Sequence, residues 1–196
     1  MSEPIVLGGA RDVRGTLDTP DADTDACVVA CPPHPQLGGR RGDRRLTAVS
    51  DALAPEIACL RFDYGEWDEG RGERTDAVAA VRWARERYDR VALFGYSFGG
   101  AVALLAAAEA DVEAASALAP ASRLPAGLDA AAALDAIDCP VQVVYGERDT
   151  TAEWEPVVER ARELGYEVEA MSADHHFVGQ GGKVADRVEA FLRRAL

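Results

Sequence analysis

The chain alternates short, wholly apolar runs with longer segments whose apolar positions recur every three to four residues. Ala26-Cys-Val-Val-Ala-Cys31 carries no polar residue, the pattern of a strand covered on both faces. Pro32-Pro-His-Pro35 ends it, because proline has no N–H to give to a ladder. Ile57–Leu60, Val91–Phe94, Ala114–Leu118, Val141–Tyr145 and Glu167–Met171 read as further short strands. Between them lie helical patterns. Arg44–Leu53 sets Leu46, Val49 and Leu53 on one side, and Glu73–Tyr88 does the same with Ala77, Val81, Ala84 and Tyr88. Phe98–Glu109 is a helix of small residues, Pro156–Leu164 is one stopped by Gly165, and Lys183–Arg193 presents Val184, Val188, Phe191 and Leu192. Near the start, Ile5-Val6-Leu7 and Val13–Leu17 suggest a small hairpin or edge strand, followed by a polar turn over Asp18–Asp25.

Strands alternating with helices predict an α/β fold: a mostly parallel sheet of about seven strands with helices on both faces. No linker, repeat or low-complexity tract breaks the pattern, so residues 1–196 read as a single domain. The stretch Pro120–Cys139 has room for one short helix, around Leu128–Leu134, and none for a lid.

Charge narrows the class of partner. Thirty-four acids face twenty-one bases, for a formal charge of −13, and Lys183 is the one lysine. Such a chain repels nucleic acid and anionic membranes, and it suits the screened medium of a halophilic, acidic proteome. Cys27, Cys31, Cys59 and Cys139 make no CxxC, and three histidines are too few for a Cys/His zinc framework. The cysteines are expected to be reduced and mostly buried, and no metal or cofactor is expected. Without a basic-then-apolar leader or an apolar run of membrane-spanning length, the expected location is cytoplasmic.

Ligands of such sheets sit beyond the carboxyl ends of the strands. The chemistry there is concentrated in three turns. The first, 95-GYSFGG-100, lies between a strand and a helix and matches G-x-S-x-G. A serine on so sharp a turn stands clear of the sheet at a helix N-terminus, which favours developing negative charge. Ser97 is therefore the candidate nucleophile. The second turn, 146-GERDT-150, offers Asp149 to orient a base, and the third, 172-SADHHFVGQGG-182, offers His175 or His176 as that base. Residue types alone do not choose between the two histidines. The Phe98 N–H is the first expected oxyanion donor. The loop 34-HPQLGG-39 is the expected source of the second, from Gln36 or Leu37, since Pro35 has no N–H. His34, Phe62, Tyr64, Trp67, His176 and Phe177 are the candidate residues lining the substrate cleft. Arg40, Arg41, Arg44 and Arg45 read as a solvated helix start rather than an anion site.

With these motifs the chain resembles the α/β-hydrolases, and among them the small lidless proteins related to dienelactone hydrolase, in a form that points to a haloarchaeal source. The resemblance runs from about Val28 to Leu192 through 32-PPHPQLGG-39, 61-RFDYG-65, 95-GYSFGG-100, 146-GERDT-150 and 173-ADHHF-177. It aligns His175 with the family's catalytic histidine and sets His176 where an aromatic is usual. True dienelactone hydrolases use a cysteine nucleophile, so Ser97 turns the expectation toward ordinary ester chemistry. The resemblance implies a serine hydrolase acting on a small-molecule ester, lactone or related acyl substrate through Ser97, Asp149 and His175. An acyltransferase or thioesterase on the same triad is the alternative, as is a non-catalytic binding member of the fold.

Overall fold

A computed structural model describes residues 1–8 and 11–196. Among them, eight strands form one sheet: β1 (Ser2–Leu7), β2 (Val13–Asp18), β3 (Ala26–Cys31), β4 (Ala58–Asp63), β5 (Arg90–Tyr96), β6 (Ala114–Leu118), then Val141–Gly146 and Glu167–Met171. A two-stranded ribbon, β7 (Arg123–Leu124) with β8 (Leu128–Asp129), lies apart from the sheet, so the last two sheet strands are β9 and β10. Across the sheet the order is β1-β2-β4-β3-β5-β6-β9-β10. The pairs β1/β2 and β2/β4 are antiparallel, and the rest are parallel. The sheet is thus one strand larger than the apolar pattern suggests, because the N-terminal segment forms a full hairpin.

β4 runs three residues past the apolar run Ile57–Leu60. Arg61, Phe62 and Asp63 pair with Thr16, Gly15 and Arg14 of β2, so the segment expected to be loop begins as strand. Arg61 lies on the α1 side of the sheet, largely covered, where Asp18 accepts its Nε at 2.7 Å and the Ser50 hydroxyl at 2.7 Å. Burial alone would raise the Asp18 pKa, but hydrogen bonds from Ser2, Ser50 and Arg61 outweigh it and hold the carboxyl low.

Helices cover both faces. On one, α1 (Arg44–Leu53) packs beside α6 (Gly181–Ala195), burying Leu46, Val49 and Leu53 with Val184, Val188, Phe191 and Leu192. On the other lie α2 (Arg71–Arg85), α3 (Phe98–Ala107), the short α4 (Ala130–Ala133) and α5 (Glu155–Glu163). β3 alternates between the two cores. Cys27, Val29 and Cys31 join the α2/α3 side, while Ala26, Val28 and Ala30 join the α1/α6 side, the period-two geometry of a strand. The four cysteines are free, Cys139 being only partly buried. Burial pushes the Cys59 thiol up to about 12.

Among the described residues no lid covers the carboxyl edge; the segment between β6 and β9 holds only the small ribbon, α4 and short turns. Among the described residues no helix is long and apolar enough to cross a membrane.

Candidate active site

β5 runs without a break into the turn that carries Ser97, and α3 starts at the next residue. Ser97 has φ 58° and ψ −119°, a strained backbone for a residue with a side chain. The turn is clamped from both sides. The Ser97 N–H donates to Leu118 O of β6 at 2.8 Å, and Ser97 O accepts from Gly100 N at 2.9 Å. Two glycines make the clamp possible. A Cβ on Gly95 would lie 2.0 Å from Gly99 O, and one on Gly99 would lie 2.2 Å from Cys31 O. The elbow is thereby pressed against the end of β3, and Phe98, as the first helical residue, has an N–H with no partner within the helix.

Asp149 and His175 come from the ends of β9 and β10, two strands paired in parallel. Backbone bonds tie the two turns together: Glu147 N donates to Met171 O at 2.9 Å and Arg148 N to Ala173 O at 3.0 Å. This brings the His175 Nδ1 within 2.7 Å of Asp149 Oδ2 and its Nε2 within 2.9 Å of the Ser97 hydroxyl. The Asp149 side chain is fully buried. Its Oδ1 accepts from the N–H groups of Thr151 (2.8 Å) and Ala152 (3.1 Å), and its main-chain O accepts from Trp154 Nε1 (3.1 Å). A buried carboxylate that accepts three such bonds has its hydrogen-bonding needs met. His176 points elsewhere: it is exposed, its ring edge-on to that of His175.

An open cleft of about 380 Å³ lies over Ser97, walled by His34, Leu37, Tyr96, Phe98, His175 and His176 and by the ribbon residues Arg123 and Leu124. Of the six residues expected to line it, only His34 and His176 do so. Phe62 is fully buried in the α2/α3 core, edge-on to Tyr64 at 5.2 Å. Tyr64 in turn meets Phe98 edge-on at 5.8 Å and donates its hydroxyl to Pro32 O at 3.1 Å. Phe62 thus backs Tyr64, which packs against Phe98. Trp67 stands behind His34, ring centroids 4.6 Å apart. Phe177 turns at φ 50° into the opposite core. Side-chain direction at a strand end follows the pleat and the chain's exit path, which residue type does not reveal.

The Leu37 N–H is spent on His34 O at 3.0 Å, closing a tight turn, and the residue is 85% exposed at the cleft rim. Gln36 is exposed and does not wall the cleft. The His34 ring packs at a tilt against Trp67 and, at 4.9 Å, against Phe98. Its Nδ1 is buried without a partner, and burial lowers its pKa against the pull of Glu73. Glu73 itself is fully buried and accepts from the N–H groups of Asp68 (3.0 Å) and Gly70 (2.8 Å), fixing the loop that carries Trp67.

The sequence pattern does not single out Tyr96 and sets Arg45 among solvated residues. Both wall the cleft. The x position of G-x-S-x-G was a signal for Tyr96; Arg45 had none beyond the charge cluster. Among the described residues, no group of three His, Cys, Asp or Glu side chains is placed to hold a metal ion.

No curated protein matches the chain by sequence. Solved structures share its fold. An α/β serine hydrolase homologue from Coxiella burnetii superposes with a TM-score of 0.85 at 23% identity, over 97% of each chain. A lidless serine hydrolase from Xanthomonas campestris gives 0.82 at 23% identity, over 100% of this chain and 95% of that one. A dienelactone hydrolase from Anabaena variabilis gives 0.81 at 21% identity, over 100% and 98%. Residues 56–191, which include Ser97, Asp149 and His175, match the dienelactone hydrolase family, and the chain belongs to that family.

Proposed function

We propose that this protein is a serine hydrolase that cleaves a small ester, lactone or related acyl substrate through an acyl-enzyme. The observation that carries the reading is the unbroken relay from Asp149 Oδ2 through His175 to the Ser97 hydroxyl, 2.7 and 2.9 Å long, opening into a cleft at a helix N-terminus. His175 Nε2 takes the Ser97 proton as the oxygen attacks the substrate carbonyl. Asp149 holds the imidazole in the tautomer whose Nε2 is free to accept, and it stabilises the cation that forms. The proton then passes to the leaving oxygen. Water, deprotonated by the same histidine, attacks the acyl group and regenerates Ser97.

The oxyanion meets the Phe98 N–H at the start of α3. In the loop after β3, Pro32, Pro33 and Pro35 have no N–H, that of Leu37 is taken, and Gln36 is exposed outside the cleft. The N–H of His34, whose side chain walls the cleft against Phe98, is the second donor. Membership of the dienelactone hydrolase family supports ester chemistry, and the open, lidless cleft supports a small-molecule substrate. The charge of −13 supports an enzyme working at high ionic strength.

Turnover of p-nitrophenyl esters, lactones and acyl thioesters at low and molar salt, with Ser97→Ala as control, tests the reading. Hydrolysis of at least one class, abolished in S97A, is the expected result. Full activity in S97A, or no turnover and no labelling by a fluorophosphonate, overturns it. Added alcohol or thiol acceptors that capture the acyl group in place of water would make it a transferase.

A further inference from the structure

We propose that Arg45 is a positioning residue that holds the loop carrying His175 in reach of Ser97; this rests on the hydrolase reading above. The segment from Met171 to α6 has no ladder of its own beyond β10. Two consecutive carbonyls in it are grasped from outside. The Tyr96 hydroxyl, on β5, donates to His175 O at 3.0 Å, and Arg45 Nη1, on α1, donates to His176 O at 3.3 Å. On the other side of the same peptide groups, Asp174 Oδ1 accepts from His176 N (3.0 Å) and Phe177 N (3.1 Å).

Arg45 is itself held in place. Asp43 caps α1 through Arg45 N at 2.9 Å and meets Nη2 at 2.5 Å with its second oxygen. The guanidinium carbon lies 4.2 Å from the centroid of the Tyr96 ring, within the range of a cation–π contact. One flat group thus touches the tyrosine that holds His175 O and the carbonyl of the next residue. Its location is otherwise unfavourable. A cation in the first turn of a helix opposes the helix dipole, and its Nε is buried without a partner. Its neighbours behave differently: Arg40 and Arg44 are exposed, and Arg41 pairs with Asp63. The contacts with Asp43, Tyr96 and His176 together hold Arg45 folded back over the sheet edge.

A slip of about 1 Å in a reacting group costs on the order of 100-fold in rate, so loosening this loop should register in kcat. The test compares wild type with Arg45→Gln, Arg45→Lys and Tyr96→Phe, using p-nitrophenyl acetate turnover and the rate of labelling by a small fluorophosphonate. The second assay needs His175 as base but no deacylation. For R45Q we expect kcat to fall about 10- to 100-fold, KM to stay within about twofold of wild type, and labelling to slow in parallel. R45K should not rescue, because an ammonium has neither the fork nor the flat face. Y96F should lose rate in the same sense, and R45Q/Y96F should lose less than the product of the single effects, since both hold one loop. An unchanged kcat with a raised KM would overturn the proposal and make Arg45 a substrate contact; unchanged labelling in R45K or Y96F would overturn it even if R45Q failed to fold. Wild type that resists labelling would sink the hydrolase reading and this proposal with it, whereas normal labelling of wild type and variants alike would sink only the latter.

Discussion

Replacing Asp149 by asparagine tests the relay without disturbing its frame. In the native site Oδ1 accepts two backbone N–H groups, from Thr151 and Ala152, and Oδ2 accepts one, from His175 Nδ1. An asparagine has one acceptor oxygen to share among these. Turned with that oxygen toward His175, its NH2 would confront two N–H donors, losing two hydrogen bonds of about 0.5–1.5 kcal/mol each and leaving buried donors unmet. Turned the other way it keeps both, and its NH2 faces His175 Nδ1. The second orientation wins. His175 Nδ1 must then accept, so the ring proton moves to Nε2, 2.9 Å from the Ser97 oxygen. The base becomes a donor at the atom where it should accept. A wrong tautomer of this kind costs about 10⁴-fold in kcat, or about 5.4 kcal/mol in the transition state. The assay is kcat/KM on whichever ester wild type hydrolyses, beside thermal melting. We expect D149N to lose about three to four orders of magnitude while melting within a few degrees of wild type. A variant keeping a tenth or more of the activity would refute the argument from tautomers, and with it the assignment of Asp149.

Other consequences follow from the elbow and its surroundings. Ser97 holds φ 58°, so Ser97→Gly should relieve strain that Ser97→Ala keeps. We expect both to be inactive and S97G to be the more stable by about 1 kcal/mol in urea unfolding; equal stabilities would show that the turn is unstrained. In Gly99→Ala the new methyl would lie 2.2 Å from Cys31 O and 2.4 Å from Pro32 O. Overpacking against backbone costs about 1–3 kcal/mol, so G99A should melt lower and lose turnover by displacing the loop of His34. For His34 the sign is set by its lowered pKa. The unfolded chain binds the proton more readily, so stability holds above the unfolded value of about 6.5 and is lost as pH falls toward the folded value. Melting temperature should therefore drop more steeply between about pH 7 and pH 5 in wild type than in His34→Phe; parallel curves would contradict the burial of that ring.

Much of this molecule is written in local pattern. The apolar run Ala26–Cys31 announces a strand buried on both faces, and the spacing of Leu46, Val49 and Leu53 announces a helix over Arg44–Leu53, because burial period is a property of the element itself. The elbow is legible too, since no other residues than glycine fit at Gly95 and Gly99 once the turn is that tight. Residue types also brought Ser97, Asp149 and the His175–His176 pair to one sheet edge. What they left open was decided by contacts between segments far apart in the chain. His175 rather than His176 meets Asp149 because the turns after β9 and β10 are bonded backbone to backbone. The aromatics Phe62, Tyr64, Trp67 and Phe177 turn away from the cleft, into the cores or behind His34, for reasons of pleat and exit path that composition does not carry. Arg45 shows the same limit from the other side. In sequence it is one of four arginines at a solvated helix start; only the fold brings Tyr96 and His176 within its reach.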